Sequence, residues 1–421
     1  MKHLLLSGVI AWVVGTTLVQ PVLAQTTERV PALREKVYSQ LARAQKEAED
    51  NGVQAGLAAL KSVEDRADSM NSYERAMLWN FYGYTYYDNE QVDKAIDYFA
   101  KVVEESPIPV SLKKNTLFSL AQLSLTQGDF EETLGYLDRW EKVAKADELS
   151  KAWVLKAQAL YQAEQFAEAL PFIQKAITAA DQEDKAPQEN WLILARAIHY
   201  ELKQTEQVAA VLERLVKLYS KPEYWLQLAG VYGQLEQSKK QLAVLEAANQ
   251  QGFIDTAGEL RNLAQVYYIN QLPYKAAKIM RDGFDAEKME ANLANRKFYA
   301  QSLMQAREYQ QALDAYLWAD EVSEDGEMLA QAAHVALNLD KNERATMLAK
   351  KALEKGEVRN EGNLWLLQGM AAVNQRHYED AVDSFAKAIE FPESKAAAQQ
   401  WQRYAKSQVD YQQRVNETAM N

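Results

Sequence analysis

Trp79-Asn80-Phe81-Tyr82-Gly83-Tyr84-Thr85-Tyr86-Tyr87, with Ala95, Phe99, Val102 and Pro107 behind it, decides the fold. Trp79, Tyr82, Gly83 and Tyr86 recur at i, i+3, i+4 and i+7, which is one face of an α-helix. Gly83 is small enough to let a second helix come close, and Ala95 is the matching small residue on that helix. Phe99 and Val102 seal the pair, and Pro107 ends it because proline cannot continue a helix. One such pair buries too little to stand alone, so the pattern calls for stacked copies.

The copies follow. Positions equivalent to Trp79 are Leu117, Trp153, Trp191, Trp225, Leu260, Arg296, Leu329 and Trp365, at steps of 33 to 38 residues. The small residue four places on recurs as Ala121, Ala157, Ala195, Ala229, Ala264, Ala300, Ala333 and Gly369. On these motifs the chain resembles the tetratricopeptide repeat family from Trp79 to about Phe391. The resemblance implies an all-α fold, a right-handed α-solenoid of helix-turn-helix units whose first helices line a concave face, and a role in holding other proteins. There are departures. Gln207 and Gln241 stand where the second helix has alanine, and Arg296 stands at an apolar position. Pro171 falls inside a second helix, where a kink is expected. Residues 106–110 and 181–188 read as longer turns.

The flanks read as caps. Pro31 to Asp50 and Val53 to Ala67 are amphipathic stretches separated by the turn signal Asn51-Gly52. Ser394 to Val415 is polar on most sides, with Trp401, Tyr404 and Val409 as apolar contacts, as an exposed solenoid end requires. The organisation is therefore a signal peptide over 1–24 and capping helices or a degenerate repeat over 25–75. About nine repeats follow over 76–392, then a capping helix with a frayed end (416–421) over 393–421.

Composition narrows the function. The 421 residues are 48% apolar and 25% charged, as in folded soluble proteins. A net charge of −12 argues against nucleic acid and anionic lipid as partners and suits basic protein segments. The absence of cysteine excludes disulfides, thiolate metal sites, cysteine nucleophiles and a lipoprotein anchor. Met1-Lys2-His3, an apolar run to Val19, and Val22-Leu23-Ala24 before Gln25 have the layout of a signal peptide. The run is shorter than the roughly 20 residues of a spanning helix. Cleavage at Ala24 is the expectation, and retention as an inner-membrane anchor is the alternative. An exported chain without cysteine fits the bacterial periplasm.

Catalytic constellations are missing. His199, His334 and His377 are far apart and form no paired-ligand spacing. There is no glycine-rich phosphate loop and no nucleophile elbow. Ser323-Glu324-Asp325-Gly326 lacks the ligand spacing of a calcium loop and reads as a turn. The sequence thus calls for no enzyme activity, no cofactor and no metal.

A partner would meet residues one, five, eight and nine places past each tryptophan-equivalent. In the first repeat these are Asn80, Tyr84, Tyr87 and Asp88. Tyr82 and Tyr86 are accounted for by packing. Tyr84 and Tyr87 either anchor a partner or pack on the neighbouring repeat. Further along, the same positions give Phe118, Gln122, Gln158, Tyr161, Arg196, His199, Arg261, Gln265, Tyr268, Lys297 and Gln301. The later groove reads as neutral to mildly basic, suited to an acidic segment.

Met70-Asn71-Ser72-Tyr73-Glu74-Arg75-Ala76, running into Trp79 to Tyr84 and then Asp93-Lys94-Ala95-Ile96, resembles a group of exported repeat proteins. These accompany the TonB–ExbB–ExbD energy-transducing complex of Gram-negative bacteria. The resemblance implies an accessory of iron or siderophore uptake with TonB-type components as partners. An adaptor for cell-envelope or polysaccharide-export assembly is the alternative.

Overall fold

The computed structural model describes residues 29–420, so the expected signal peptide at 1–24 lies outside the described residues. Among the described residues all regular structure is helical, in two compact units, 29–183 and 184–420. The division falls in the 181–188 segment read as a turn. Unit 1 holds α1 (Glu35–Asn51), α2 (Val53–Glu64), α3 (Ser72–Asp88), α4 (Val92–Glu104), α5 (Val110–Gln127), α6 (Phe130–Glu141), α7 (Leu149–Gln162) and α8 (Phe166–Gln182). Unit 2 holds α9 (Glu189–Glu201), α10 (Thr205–Tyr219), α11 (Pro222–Gln234), α12 (Ser238–Gln250), α13 (Ala257–Ile269), α14 (Pro273–Asp285) and α15 (Leu293–Gln305). It continues with α16 (Tyr309–Asp320), α17 (Glu327–Asn338), α18 (Asn342–Lys355), α19 (Glu361–Asn374), α20 (Tyr378–Ile389) and α21 (Lys395–Met420). Each tryptophan-equivalent lies on the first helix of a pair. No helix among the described residues is long and apolar enough to cross a membrane.

The small residues do what their spacing implies. Ala121, Ala157, Ala195, Ala229, Ala264, Ala300 and Ala333 are all buried. A Cβ at Gly83 would stand 2.6 Å from the Phe99 ring, and one at Gly369 would stand 2.4 Å from Phe385. Either ring therefore seats directly on the backbone of the partner helix. Between the two helices the chain turns through a left-handed residue. In the pairs from α3 to α20 only Gly128 among these is glycine; Glu90, Glu236, Arg307 and Arg376, for example, adopt φ of 59°, 56°, 62° and 63°. A side chain in that region costs about 1–2 kcal/mol, which the packing of both flanking helices must offset.

A second repeated device joins the pairs. Lys101 lies over the Trp79 ring at 5.1 Å, Lys175 over Trp153 at 4.2 Å, and Lys387 over Trp365 at 4.2 Å. In each case the cation is 22 residues past the ring. Arg296, the departure noted above, falls into the same scheme with the roles exchanged: its guanidinium lies 4.3 Å from the ring of Trp318, again 22 residues on. The face of an indole attracts a cation whichever helix supplies it. Replacing Trp318 by lysine alone sets cation against cation and is expected to cost about 1–2 kcal/mol. Adding Arg296→Trp is expected to recover part of the loss. The recovery is partial because Arg296 also donates to the backbone carbonyls of Ala291 and Trp318. A double-mutant cycle by thermal unfolding checks this, and purely additive losses would refute the coupling.

At the start of unit 1, Asn71 and Glu74 form a capping box on α3. The same Glu74, wholly buried, takes the fork of Arg34, with Nε 2.5 Å from Oε1 and Nη2 2.6 Å from Oε2. Hydrogen bonding from Arg34 holds the Glu74 carboxyl below the usual carboxylate range, against the effect of its burial. Its folded value is thus lower than its unfolded one. The contribution is complete above the unfolded value and is lost as pH falls through the lowered one. Acidification is therefore expected to release the start of α1 before the rest of unit 1, read as early loss of amide protection over 34–44. Glu74→Gln should flatten that pH dependence.

One local bound changes: α1 begins at Glu35 rather than Pro31. Pro171 falls inside α8, as its place in the repeat implies. α21 runs to Met420, past the point at 416 from which fraying is expected. No glycine or proline follows Pro392, and the segment is rich in alanine, glutamine and lysine, so nothing in it stops a helix.

Candidate partner-binding groove

Within unit 1, α1 and α3 bound an open groove of about 660 Å³. The α3 side is built by the residues between the packing positions: Asn80, Tyr84 and Asp88, with Met77, Phe81 and Thr85. The helical period sends Tyr82 and Gly83 inward, where both are buried, and so turns Asn80 and Tyr84 the other way. Tyr84 is 52% exposed while its ring makes a T-shaped contact with that of Phe99, centroids 5.1 Å apart. It is thus braced on one side and open on the other. The α1 side brings Tyr38, which is 50% exposed, with Gln45 and Glu49.

The groove takes in Asn80, Tyr84 and Asp88 and leaves out Tyr87, which is exposed but lines none of it. Tyr38, Gln45 and Glu49 were not foreseen. They stand seven and four residues apart, one stripe of a helix, and that spacing was the signal available. The lining has two carboxylates, Glu49 and Asp88, and no basic side chain. Gln45 donates to Glu49 at 3.2 Å. Ring faces, side-chain amides and net negative charge together suit a segment with apolar and basic side chains, its backbone read by Asn80 and Gln45.

The interior explains why the packing tyrosines stay out of this. Tyr82 donates to Glu64 at 3.0 Å, and burial beside that carboxylate pushes its phenol up, so it remains a donor. Tyr267 does the same with Glu246 at 2.9 Å.

The other positions read from the sequence divide. Gln122 and Gln265 are exposed. Phe118 packs on Trp140 at 5.4 Å, and Tyr161 leans on Phe166 at 5.4 Å. In unit 2, Tyr268 leans on Phe298 at 5.6 Å and is 36% exposed. Arg196 donates to Gln227, and Arg261 to Asn295 at 2.6 Å. His199 is buried and hydrogen-bonded with Gln204 at 2.7 Å. The basic character expected of the later groove is thus largely taken up by ties between successive first helices. Asp325 accepts from Ser323 and from the backbone of Glu327, as in a turn that opens a helix. No cluster of metal-ligating side chains exists among the described residues.

Stacked helix pairs with small residues at every crossing define a helical-repeat protein. Residues 41–107 and 118–184 match the tetratricopeptide repeat family model, so these two stretches carry the repeat. Solved structures it is similar to include MamA from Desulfovibrio magneticus RS-1, residues 41 to the end. That match has 15% identity, 42% of this chain, 94% of that one and a TM-score of 0.34. Another is a tetratricopeptide repeat protein from Parabacteroides merdae, at 14% identity, 70% and 98% coverage and a TM-score of 0.27. A third is YrrB, described as a TPR protein with an unusual peptide-binding site, at 16% identity, 46% and 99% coverage and a TM-score of 0.37. Among curated proteins none matches.

Proposed function

We infer that the chain is a non-enzymatic scaffold that holds a protein segment in the α1–α3 groove. We place its work in the periplasm, as an accessory of a TonB-type energy-transducing system. The observation that carries the holding role is the groove itself. It has two half-exposed tyrosines on facing helices, amides between them, and carboxylates with no base. The signal-like layout of residues 1–24 supports export. The stretch from Met70 to Ile96 supports the TonB assignment, and an acidic groove suits the basic periplasmic segments of such partners.

Crosslinking in intact cells followed by affinity purification tests this. Recovery of TonB, ExbB or ExbD components, weakened by Tyr84→Ala, is the expected result. Recovery of polysaccharide-export or cell-wall synthase subunits without any TonB component would replace the TonB assignment by an envelope-assembly role. Clear peptidoglycan cleavage by the purified chain would overturn the scaffold reading altogether.

A further inference from the structure

Asn51-Gly52, a turn signal in the sequence, is the one asparagine–glycine pair in the chain. The backbone nitrogen of a glycine after asparagine or aspartate has no side chain to keep it from its neighbour's side-chain carbonyl. It reacts there when the fold leaves it free. Two related pairs, Asp282-Gly283 and Asp325-Gly326, are not free. Gly283 is buried inside α14, where the helical backbone uses its N–H, and Gly326 donates to the Gly356 carbonyl at 2.8 Å.

Gly52 differs on each count. It stands between the end of α1 and the start of α2, is exposed, and has a φ of 88°. A Cβ placed on it would meet nothing within 4 Å. Its N–H has no hydrogen-bond acceptor among the described residues. Asn51, the last residue of α1, is exposed too, and its side-chain amide donates to Glu47 at 2.8 Å. Helical backbone at Asn51 holds the Gly52 nitrogen away from Cγ, so the reaction needs that one residue to leave the helix. The end of α1 is poorly held. Its last turn has no basic residue, and Glu49 and Asp50 stand at the negative end of the helix dipole. Such an end opens at little cost.

We propose that Asn51-Gly52 is a modification site, at which the folded chain converts itself by way of a succinimide. The Gly52 nitrogen gives up its proton to solvent base and attacks Cγ of Asn51. A C–N bond forms, the bond from Cγ to Nδ2 breaks, and Nδ2 leaves as ammonia with a proton from water. Water then opens the ring at one of its two carbonyls. Breaking the new bond at Cγ leaves aspartate at position 51. Breaking the original peptide bond leaves isoaspartate, whose chain runs on through the side chain with one extra backbone carbon. Nothing is oxidised or reduced.

Both products alter the α1 wall of the groove, because Ala48, Glu49 and Val53 line it on either side of the pair. Aspartate sets a further carboxylate beside Glu47 in place of the hydrogen bond. Isoaspartate lengthens the turn where α1 and α2 cross, and there a Cβ on Gly56 would stand 2.4 Å from that of Ala48. A crossing that close admits one register, and the added carbon shifts it. The chemistry itself is independent of what the groove holds.

The test ages the full chain in mildly alkaline buffer and maps its peptides by mass spectrometry. Isoaspartyl methyltransferase with labelled S-adenosylmethionine marks the isoaspartate. Residue 51 is expected to react at least about tenfold faster than Asn71, whose side chain is tied into the capping box of α3. The aged chain is expected to lose amide protection over 45–56, with unit 2 unchanged. Asn51→Gln, which keeps an amide on a longer and far less reactive side chain, is expected to remove both the product and the loss. An absence of product at 51, or product only after denaturation, would overturn the proposal. So would full protection in the aged chain, or a loss that persists in Asn51→Gln.

Discussion

Phe385→Ala is expected to lower the stability of the C-terminal part of unit 2 by about 3–5 kcal/mol. The ring is fully buried and seats where Gly369 offers no side chain, so nothing can collapse into the vacated space. It also stacks on Trp401 at 6.3 Å, which holds α21 to the last repeat. Removing it loosens three helices at once. Hydrogen exchange should report lost protection over α19, α20 and α21, with α9 to α12 little changed. In a stack whose repeats contact only their neighbours, damage decays with distance. Uniform loss across unit 2 would contradict that picture.

Tyr84→Ala is expected to weaken partner binding by about 30-fold or more while leaving the melting temperature nearly unchanged. The two readouts separate because the ring is half-exposed and meets Phe99 on one side. Titration with the partner recovered by crosslinking measures the first, and thermal unfolding measures the second. Gln122→Ala, exposed and outside the groove, serves as the control. Unchanged affinity in the Tyr84 variant would remove the groove from the binding account.

The repeat was readable because its physics is local. Packing at i, i+3, i+4 and i+7 with one small residue is written into each helix, so the pairs could be counted from Trp79 onward. The α3 half of the groove was readable for the same reason: once Tyr82 and Gly83 face inward, Asn80 and Tyr84 face outward. The α1 half was not. Tyr38, Gln45 and Glu49 sit on a helix without the tryptophan signature, and what places them opposite Asn80 is packing between helices more than 20 residues apart. The ties made by Arg196, Arg261 and His199 were hidden for a related reason. Their exposure depends on Gln227, Asn295 and Gln204, whose reach the sequence does not display. Arg296 read as a departure because its ring partner, Trp318, lies on another helix.

That exchanged pair has a consequence for how such a chain can diversify. In three pairs a first helix bearing tryptophan answers a second helix bearing lysine, and in a fourth one bearing arginine answers a second bearing tryptophan. A crossover in the turn would join Arg296 to Lys387, two cations, or Trp365 to Trp318, two rings. A crossover between whole pairs keeps each contact intact. The heritable unit is therefore the pair, and recombination that respects its boundaries can lengthen or shorten the array without breaking these joints.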